Sequence, residues 1–204
     1  MLENKLFGVI SLGCDKNRVD SEKLIGLLKE RKCALTDDLS KAQIVIVNTC
    51  AFLESARKES IETILECAGY KKSGKLEKIV VTGCLPQKFI GELFDPLTEA
   101  DVFLGIRDYE KIFEALEKSY ERNERENYVG KGSDGFRFGR VLTTEPHYAY
   151  LKIADGCYNH CTYCLIPKIR GRYVSYPMED LLKEAEELGD VSELIVVAQD
   201  TTRY

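Results

Sequence analysis

The sequence lacks the features that would assign it to a membrane or to a secreted class. No apolar run approaches the roughly 20 residues that a helix needs to cross a bilayer. The first residues contain no apolar signal-peptide core followed by a cleavage site. Positive charge is also in deficit, since 29 Lys and Arg residues stand against 34 Asp and Glu residues. We therefore expect a cytoplasmic protein with no membrane partner and no dominant nucleic-acid surface.

What the sequence does have is eight cysteines. In a cytoplasmic protein such thiols indicate metal ligands or free cysteines sooner than disulfides. Cys157, Cys161 and Cys164 form the motif CYNHCTYC, directly after an apolar run at residues 148–154. We call these three the second cysteine set. Their spacing suits a cubane [4Fe–4S] cluster in which three irons bind thiolates and the fourth stays open to a substrate or cofactor.

A structural zinc site is the alternative interpretation of this motif. Such sites need four ligands, often arranged as two separated pairs, and His160 is the only nearby fourth candidate. His160 adjoins Cys161, so both side chains would have to reach one ion from successive residues. The spacing favours the cluster over zinc.

Short apolar runs alternate with amphipathic helical patterns through residues 1–122, which is typical of a doubly wound α/β domain with a parallel sheet. We predict strands at residues 6–12, 44–48, 78–82 and 101–104. Helices are predicted at residues 52–68 and 108–120, and another should follow a cap at Asp20 or Ser21, with Leu24, Ile25, Leu27 and Leu28 buried. Residues 123–147 have the glycine-rich composition of a linker, with one short strand around 136–142.

Residues 148–204 form a predicted second unit. It should contain buried strands at residues 148–154 and 193–198, and between them a helix at 177–188 that buries Met178, Leu181, Leu182 and Ala185. A strand, a cysteine loop, a helix and a parallel strand are the beginning of a (β/α) barrel. Two strands do not close a barrel, so we expect the chain to be the front part of a longer enzyme or to need a partner.

Three further cysteines lie just past the carboxyl ends of three predicted strands. Cys14, Cys50 and Cys84 form this first cysteine set. Carboxyl ends of parallel strands meet at one edge of a sheet, so these thiols are expected to converge on a second cluster. Each alone could instead be a buried core thiol. We assign the remaining two, Cys33 and Cys67, to packing.

With both sets in view, the chain resembles the methylthiotransferase branch of the radical S-adenosylmethionine (SAM) enzymes over nearly its whole length. The resemblance rests on ISLGCDKNRVDSE at residues 10–22, NTCAF at 48–52, GCLPQ at 83–87 and the stretch from Gly156 to Pro167. Within the branch, SLGC with Lys16 and Asn17, and QDTTRY at 199–204, look more like members that modify a ribosomal protein than members that modify tRNA.

The resemblance implies an enzyme that attaches a methylthio group to the β-carbon of an aspartate in a small-subunit ribosomal protein. It implies two [4Fe–4S] clusters, an auxiliary one on the first cysteine set and a SAM-cleaving one on the second. Tyr163 and Gln199 would contact SAM, with Tyr163 near its adenine. SAM would serve as methyl donor and radical source, and an electron donor such as flavodoxin or ferredoxin would reduce the cluster.

The chain departs from the family pattern in two places. Tyr176 precedes Pro177 where many members have arginine, and the rest of the barrel and a C-terminal TRAM domain are absent. The chain could therefore be inactive alone. Two other functions stay open, a tRNA adenosine methylthiotransferase and a non-enzymatic zinc-binding interaction module. The basic segment at residues 166–172 could steer SAM, a phosphate or an acidic substrate, or it could be an exposed loop.

Overall fold

A computed structural model describes residues 2, 5–130 and 139–204. Its main body is a sheet of six strands, β1 (Leu6–Ser11), β2 (Ala34–Leu35), β3 (Ile44–Thr49), β4 (Lys78–Gly83), β5 (Val102–Phe103) and β6 (Glu126–Asn127). The strands lie in the order β2-β1-β3-β4-β5-β6, and every neighbouring pair is parallel. The predicted α/β class with a parallel sheet is confirmed. The edge strand β6 lies at the start of the predicted linker.

Four helices cover the two faces of this sheet. They are α1 (Asp15–Glu30), α2 (Glu54–Ser73), α3 (Cys84–Leu93) and α4 (Ile112–Arg122), the last preceded by a 3₁₀ turn at Tyr109–Lys111. Ile44 and Ile46 pack in the core that α1 and α4 cover, whereas Val45 and Val47 pack in the core under α2. Because β3 is buried on both faces, apolar β-branched residues occupy successive positions along it.

The first two helices depart from the predictions in detail. Helix α1 begins at Asp15, with Cys14 at its N-cap, so the predicted cap at Asp20 or Ser21 is wrong. Both residues are buried inside the helix, where the Ser21 hydroxyl bonds the Ser11 hydroxyl at 2.8 Å. Helix α2 spans Glu54–Ser73 where 52–68 was predicted, and the side chain of Leu65 in it is 46% exposed. Residues 136–138 of the strand predicted around 136–142 lie outside the described residues, and residues 139–142 form no strand, so the prediction is wrong for that described part.

The second unit contains a two-stranded parallel sheet of β7 (Tyr148–Lys152) and β10 (Glu193–Val197). Between them lie β8 (Ala154–Asp155), α5 (Ile166–Ile169), β9 (Val174–Ser175) and α6 (Met178–Glu187), with β8 and β9 antiparallel. Leu181 packs against Ala149 and Leu151 as expected. No helix in the described residues is long and apolar enough to cross a bilayer.

Burial in the second unit is lower than the sequence indicated. Met178 and Leu182 of α6 are 51% and 58% exposed, and in β10 Leu194 and Val196 are 40% and 48% exposed. The prediction that these residues are buried is wrong for this chain. Strand β10 pairs only with β7 in the described part of the molecule, so its apolar side chains have few partners.

A buried arginine joins the second unit to α1. Arg140 donates to Glu22 at 2.7 Å and to Glu184 of α6 at 2.9 Å. The Arg140 side chain is 4% exposed and that of Glu22 is fully buried. The same Glu22 carboxylate accepts hydrogen bonds from the backbone and the hydroxyl of Thr143. A buried charge with this many partners fixes the chain at residues 140–143 against α1.

Glu77, just before β4, provides a test of pH dependence. Its carboxylate accepts hydrogen bonds from Lys5 at 2.7 Å, Gln43 at 2.8 Å and Tyr120 at 2.9 Å. Burial alone would raise the pKa of Glu77, but these hydrogen bonds outweigh it and the pKa is lowered. A lowered folded-state pKa gives stability that is present above the unfolded value, about 4.3, and is lost as the pH falls through the folded value.

We therefore expect the free energy of unfolding to fall less between pH 6 and pH 3 in Glu77→Gln than in the wild type. Urea unfolding at a series of pH values measures this difference. Parallel curves for the two proteins would contradict the prediction.

Candidate functional site

The first cysteine set lies where three adjacent strands end. Strands β1, β3 and β4 are neighbours, and their register pairs Ser11 with Asn48 and Thr49 with Gly83. The loops that carry Cys14, Cys50 and Cys84 therefore open at one edge of the sheet. Cys14 is exposed, Cys50 is half-buried and Cys84 is buried. Three cysteines of graded exposure thus follow adjacent strand ends at one edge of the sheet, as parallel topology requires.

Two glycines allow these loops to approach each other. Gly13 and Gly83 have φ angles of +94° and +95°. A Cβ atom on Gly13 would lie 2.7 Å from Cys50 Cβ, and one on Gly83 would lie 2.4 Å from Thr49 O. Side chains at either position would push neighbouring loops apart. The close approach of the segments that carry the three cysteines is compatible with a shared cluster.

Asn17 of α1 ties the three loops together. Its amide nitrogen donates to Leu12 O at 3.1 Å and Thr49 O at 2.9 Å, and its Oδ1 lies 3.6 Å from Cys84 Sγ. Asn17 is fully buried. The sequence singled it out only as part of the family motif, since an isolated asparagine near a helix start gives no signal of such a role.

Arg170 reaches the same edge from the second unit. One guanidinium nitrogen donates to Asp20 at 2.8 Å and to Asp155 at 3.0 Å. The other donates to Asn17 Oδ1 and lies 3.8 Å from Cys84 Sγ. Arg170 is 2% exposed, so neither the steering role nor the exposed-loop interpretation holds for it. Lys168 and Arg172, the other cations of that segment, are exposed.

Lys152 completes a buried group of two cations and two carboxylates. It donates to Asp20 and, at 3.3 Å, to Asp155. Burial alone would lower the pKa of Lys152, but Asp155 and Asp20 raise it. Burial alone would raise the pKa of Asp155, but Lys152 and Arg170 lower it. Lys152 and Asp155 are therefore charged at neutral pH, and pairing within the group offsets the cost of removing these charges from water.

Burial also governs the reactivity of Cys84. It raises the pKa of the Cys84 thiol to about 11, against the opposing effect of Arg170, and the charges of Cys50 and Cys14 add to the rise. Without a metal the thiol keeps its proton at neutral pH, and a bound metal would displace that proton. Burial likewise raises the pKa of Cys67 to about 11, in agreement with its packing role.

The second cysteine set lies on the loop after β8. Gly156, at φ +77°, has no room for a Cβ, which would lie 2.2 Å from Arg172 O. Its neighbour Cys157 is buried and donates its N–H to Gly171 O at 3.2 Å. Cys161 is exposed and Cys164 is half-buried. The loop thus has one buried, one half-buried and one exposed ligand candidate.

One of the predicted SAM contacts, Tyr163, lies within this loop, and the other, Gln199, follows β10. Tyr163 is 83% exposed. The buried Oε1 of Gln199 has no hydrogen-bond partner among the described residues. Asn159 of the cysteine loop donates to Asp200 at 3.1 Å, which joins the loop to the end of β10. A buried, unpaired acceptor beside the loop is suited to a ligand that can donate a hydrogen bond.

Within the described chain, no three Cys, His, Asp or Glu side chains are grouped closely enough to hold one metal ion. A zinc ion would draw its thiolates to about 2.3 Å from a single centre. A cubane instead distributes its thiolates over separate irons. Neither cysteine set therefore converges on a single centre in the described chain.

Residues 6–105 match the family described as "Uncharacterized protein family UPF0004". The chain is 51% identical over 201 residues to a protein of Clostridium tetani, over 97% of this chain and 45% of that relative. It is 51% identical over 199 residues to one of Lachnoclostridium phytofermentans, and 45% identical over 212 residues to one of Clostridium botulinum. Over nearly its whole length the chain is similar to the methylthiotransferases that these relatives represent.

Each of the three relatives is named ribosomal protein uS12 methylthiotransferase RimO. The match to the Lachnoclostridium protein covers 96% of this chain and 45% of the relative, and the Clostridium botulinum match covers 100% and 46%. The chain therefore spans less than half the length of these curated relatives. The resemblance to the methylthiotransferases is confirmed.

Proposed function

We propose that the chain is the N-terminal part of a radical SAM methylthiotransferase that acts on an aspartate of ribosomal protein uS12. This proposal rests on the presence of two sets of three cysteines. The buried Arg170 contacts Cys84 of the first set, and its neighbour Gly171 accepts a hydrogen bond from Cys157 of the second. The substrate named for the relatives favours the ribosomal protein over tRNA adenosine, which the sequence left open. The match to methylthiotransferases over nearly the whole chain favours the enzyme over the zinc-binding module.

The first cysteine set would hold an auxiliary [4Fe–4S] cluster and the second a SAM-binding one, each leaving one iron open. When bound, the two clusters together with SAM would supply the radical chemistry and the sulfur needed to replace a β-hydrogen of the aspartate. Cys84 and Cys157 would anchor each set from its buried side. Gln199 Oε1 would accept a hydrogen bond from SAM, and Tyr163 would cover its adenine.

The remaining assignments belong to the same proposal. Residues 1–122 form the methylthiotransferase domain, 123–147 link it to the next unit, and 148–204 begin a radical SAM barrel. The parallel pairing of β7 with β10 and the exposed apolar side chains of β10 support the last assignment. We place the protein in the cytoplasm, where a flavodoxin or ferredoxin would be its electron donor.

Iron and sulfide per chain after anaerobic reconstitution test this proposal. We expect about eight irons for the wild type and about four for the triple variant Cys157→Ala/Cys161→Ala/Cys164→Ala, because each cubane holds four irons. Cys67→Ala is the matched control and should keep about eight, since this thiol only packs. Zinc without iron would refute the enzyme. About four irons in both proteins would mean that the second set assembles no cluster in this chain.

A further inference from the structure

Two successive residues of the second unit touch one cysteine of each set. The Arg170 guanidinium lies 3.8 Å from Cys84 Sγ, and Gly171 O accepts the N–H of Cys157 at 3.2 Å. No sequence pattern relates these cysteines, which belong to different units. The dipeptide is therefore a direct physical connection between the two sets.

This dipeptide is held from several sides. Arg107 of the first unit donates to Arg170 O at 2.9 Å. The preceding Ile169 is 3% exposed and packs with Cys84 and Leu85. A segment fixed by packing, a backbone hydrogen bond and buried ion pairs has little freedom to move. The distance between Arg170 and Cys84 is accordingly set by the fold.

The two terminal nitrogens of the Arg170 guanidinium contact different groups. Nη1 satisfies Asp20 and Asp155, whereas Nη2 faces Asn17 Oδ1 and Cys84 Sγ. Ion pairs with Asp20 and Asp155 use only Nη1. The position of Nη2 near Cys84 Sγ is therefore a separate contact. The planar fork of arginine provides donors in both directions, which a lysine cannot do.

We infer that Arg170 is a positioning residue for the cluster of the first cysteine set, which it holds through Cys84 and whose reduction potential it raises. The inference rests on the proposed function, since it needs a cluster there. Reduction makes a cluster more negative, and hydrogen bonds to its sulfurs favour the reduced form. Second-shell donors of this kind tune a metal site without binding the metal. Cys84 is the most buried thiol of its set, so solvent screens this effect least.

The test uses the background Cys157→Ala/Cys161→Ala/Cys164→Ala, which leaves only the cluster of the first set. The midpoint potential is measured by a redox titration followed by electron paramagnetic resonance. We expect Arg170→Gln to shift the potential to more negative values, and Arg170→Lys to shift it in the same direction by less. Asp155→Asn is the matched control, because Asp155 contacts Arg170 on the side away from Cys84. Loss of its negative charge should shift the potential the opposite way.

An unchanged potential in Arg170→Gln, at about four irons per chain, would overturn the inference and leave the proposed function intact. If Arg170→Gln does not fold, Arg170→Lys decides the question by the same criterion. If the background protein binds no iron, both the proposed cluster of the first cysteine set and the inference about Arg170 are refuted.

Discussion

Gly83→Ala is expected to abolish iron binding at the first cysteine set, with a loss of about four irons per chain. Gly83 has φ +95° and ψ −154°, a region that essentially only glycine occupies. A Cβ atom there would lie 2.4 Å from both Thr49 O and Asn48 Oδ1. Because Thr49 is the last residue of β3 and directly precedes Cys50, the clash would separate Cys50 from Cys84.

Gly91→Ala is the control for this substitution. Gly91 lies in the same helix as Cys84, and a Cβ there would meet nothing within 4 Å. Alanine inside a helix is more stable than glycine by about 0.5–1 kcal/mol. This variant should keep its iron and resist urea at least as well as the wild type. A Gly83→Ala protein with full iron content would show that the loops can separate without losing the cluster.

Asp20→Asn is expected to lower the free energy of unfolding by about 3–5 kcal/mol, the range observed when one partner of a buried ion pair is removed. Asp20 is 3% exposed and bonds both Lys152 and Arg170. Without its charge, two buried cations would share Asp155 alone. Urea unfolding monitored by circular dichroism measures the loss.

Asp38→Asn is the matched control, since it also removes a carboxylate from an ion pair. The pair of Asp38 with Lys41 lies on the surface, with side-chain exposures of 46% and 65%. Exposed pairs contribute little to stability, so the unfolding midpoint should barely change. Equal effects of the two substitutions would mean that the buried group is not a main link between the two units.

Much of the fold could be predicted because the local patterns agree with the tertiary environment. Residues 44–48 and 78–82 are apolar and β-branched, and both are buried strands on neighbouring positions of the sheet. The predictions were wrong where burial depends on partners, as for Leu182 and Val196. An apolar pattern predicts which side chains lie on the packing face of an element. Whether they are buried depends on a second element that covers that face.

The sequence by itself determined the cysteine spacing, the strand ends that bring Cys14, Cys50 and Cys84 to one edge, and the family. These features are local, or they follow from the topology of parallel sheets. Only the tertiary structure decided that Arg170 pairs with Asp20, 150 positions earlier, and reaches Cys84. Charged residues are usually exposed, so a sequence assigns them to the surface. Their burial here follows from mutual neutralisation, which exists only after the two units have come together.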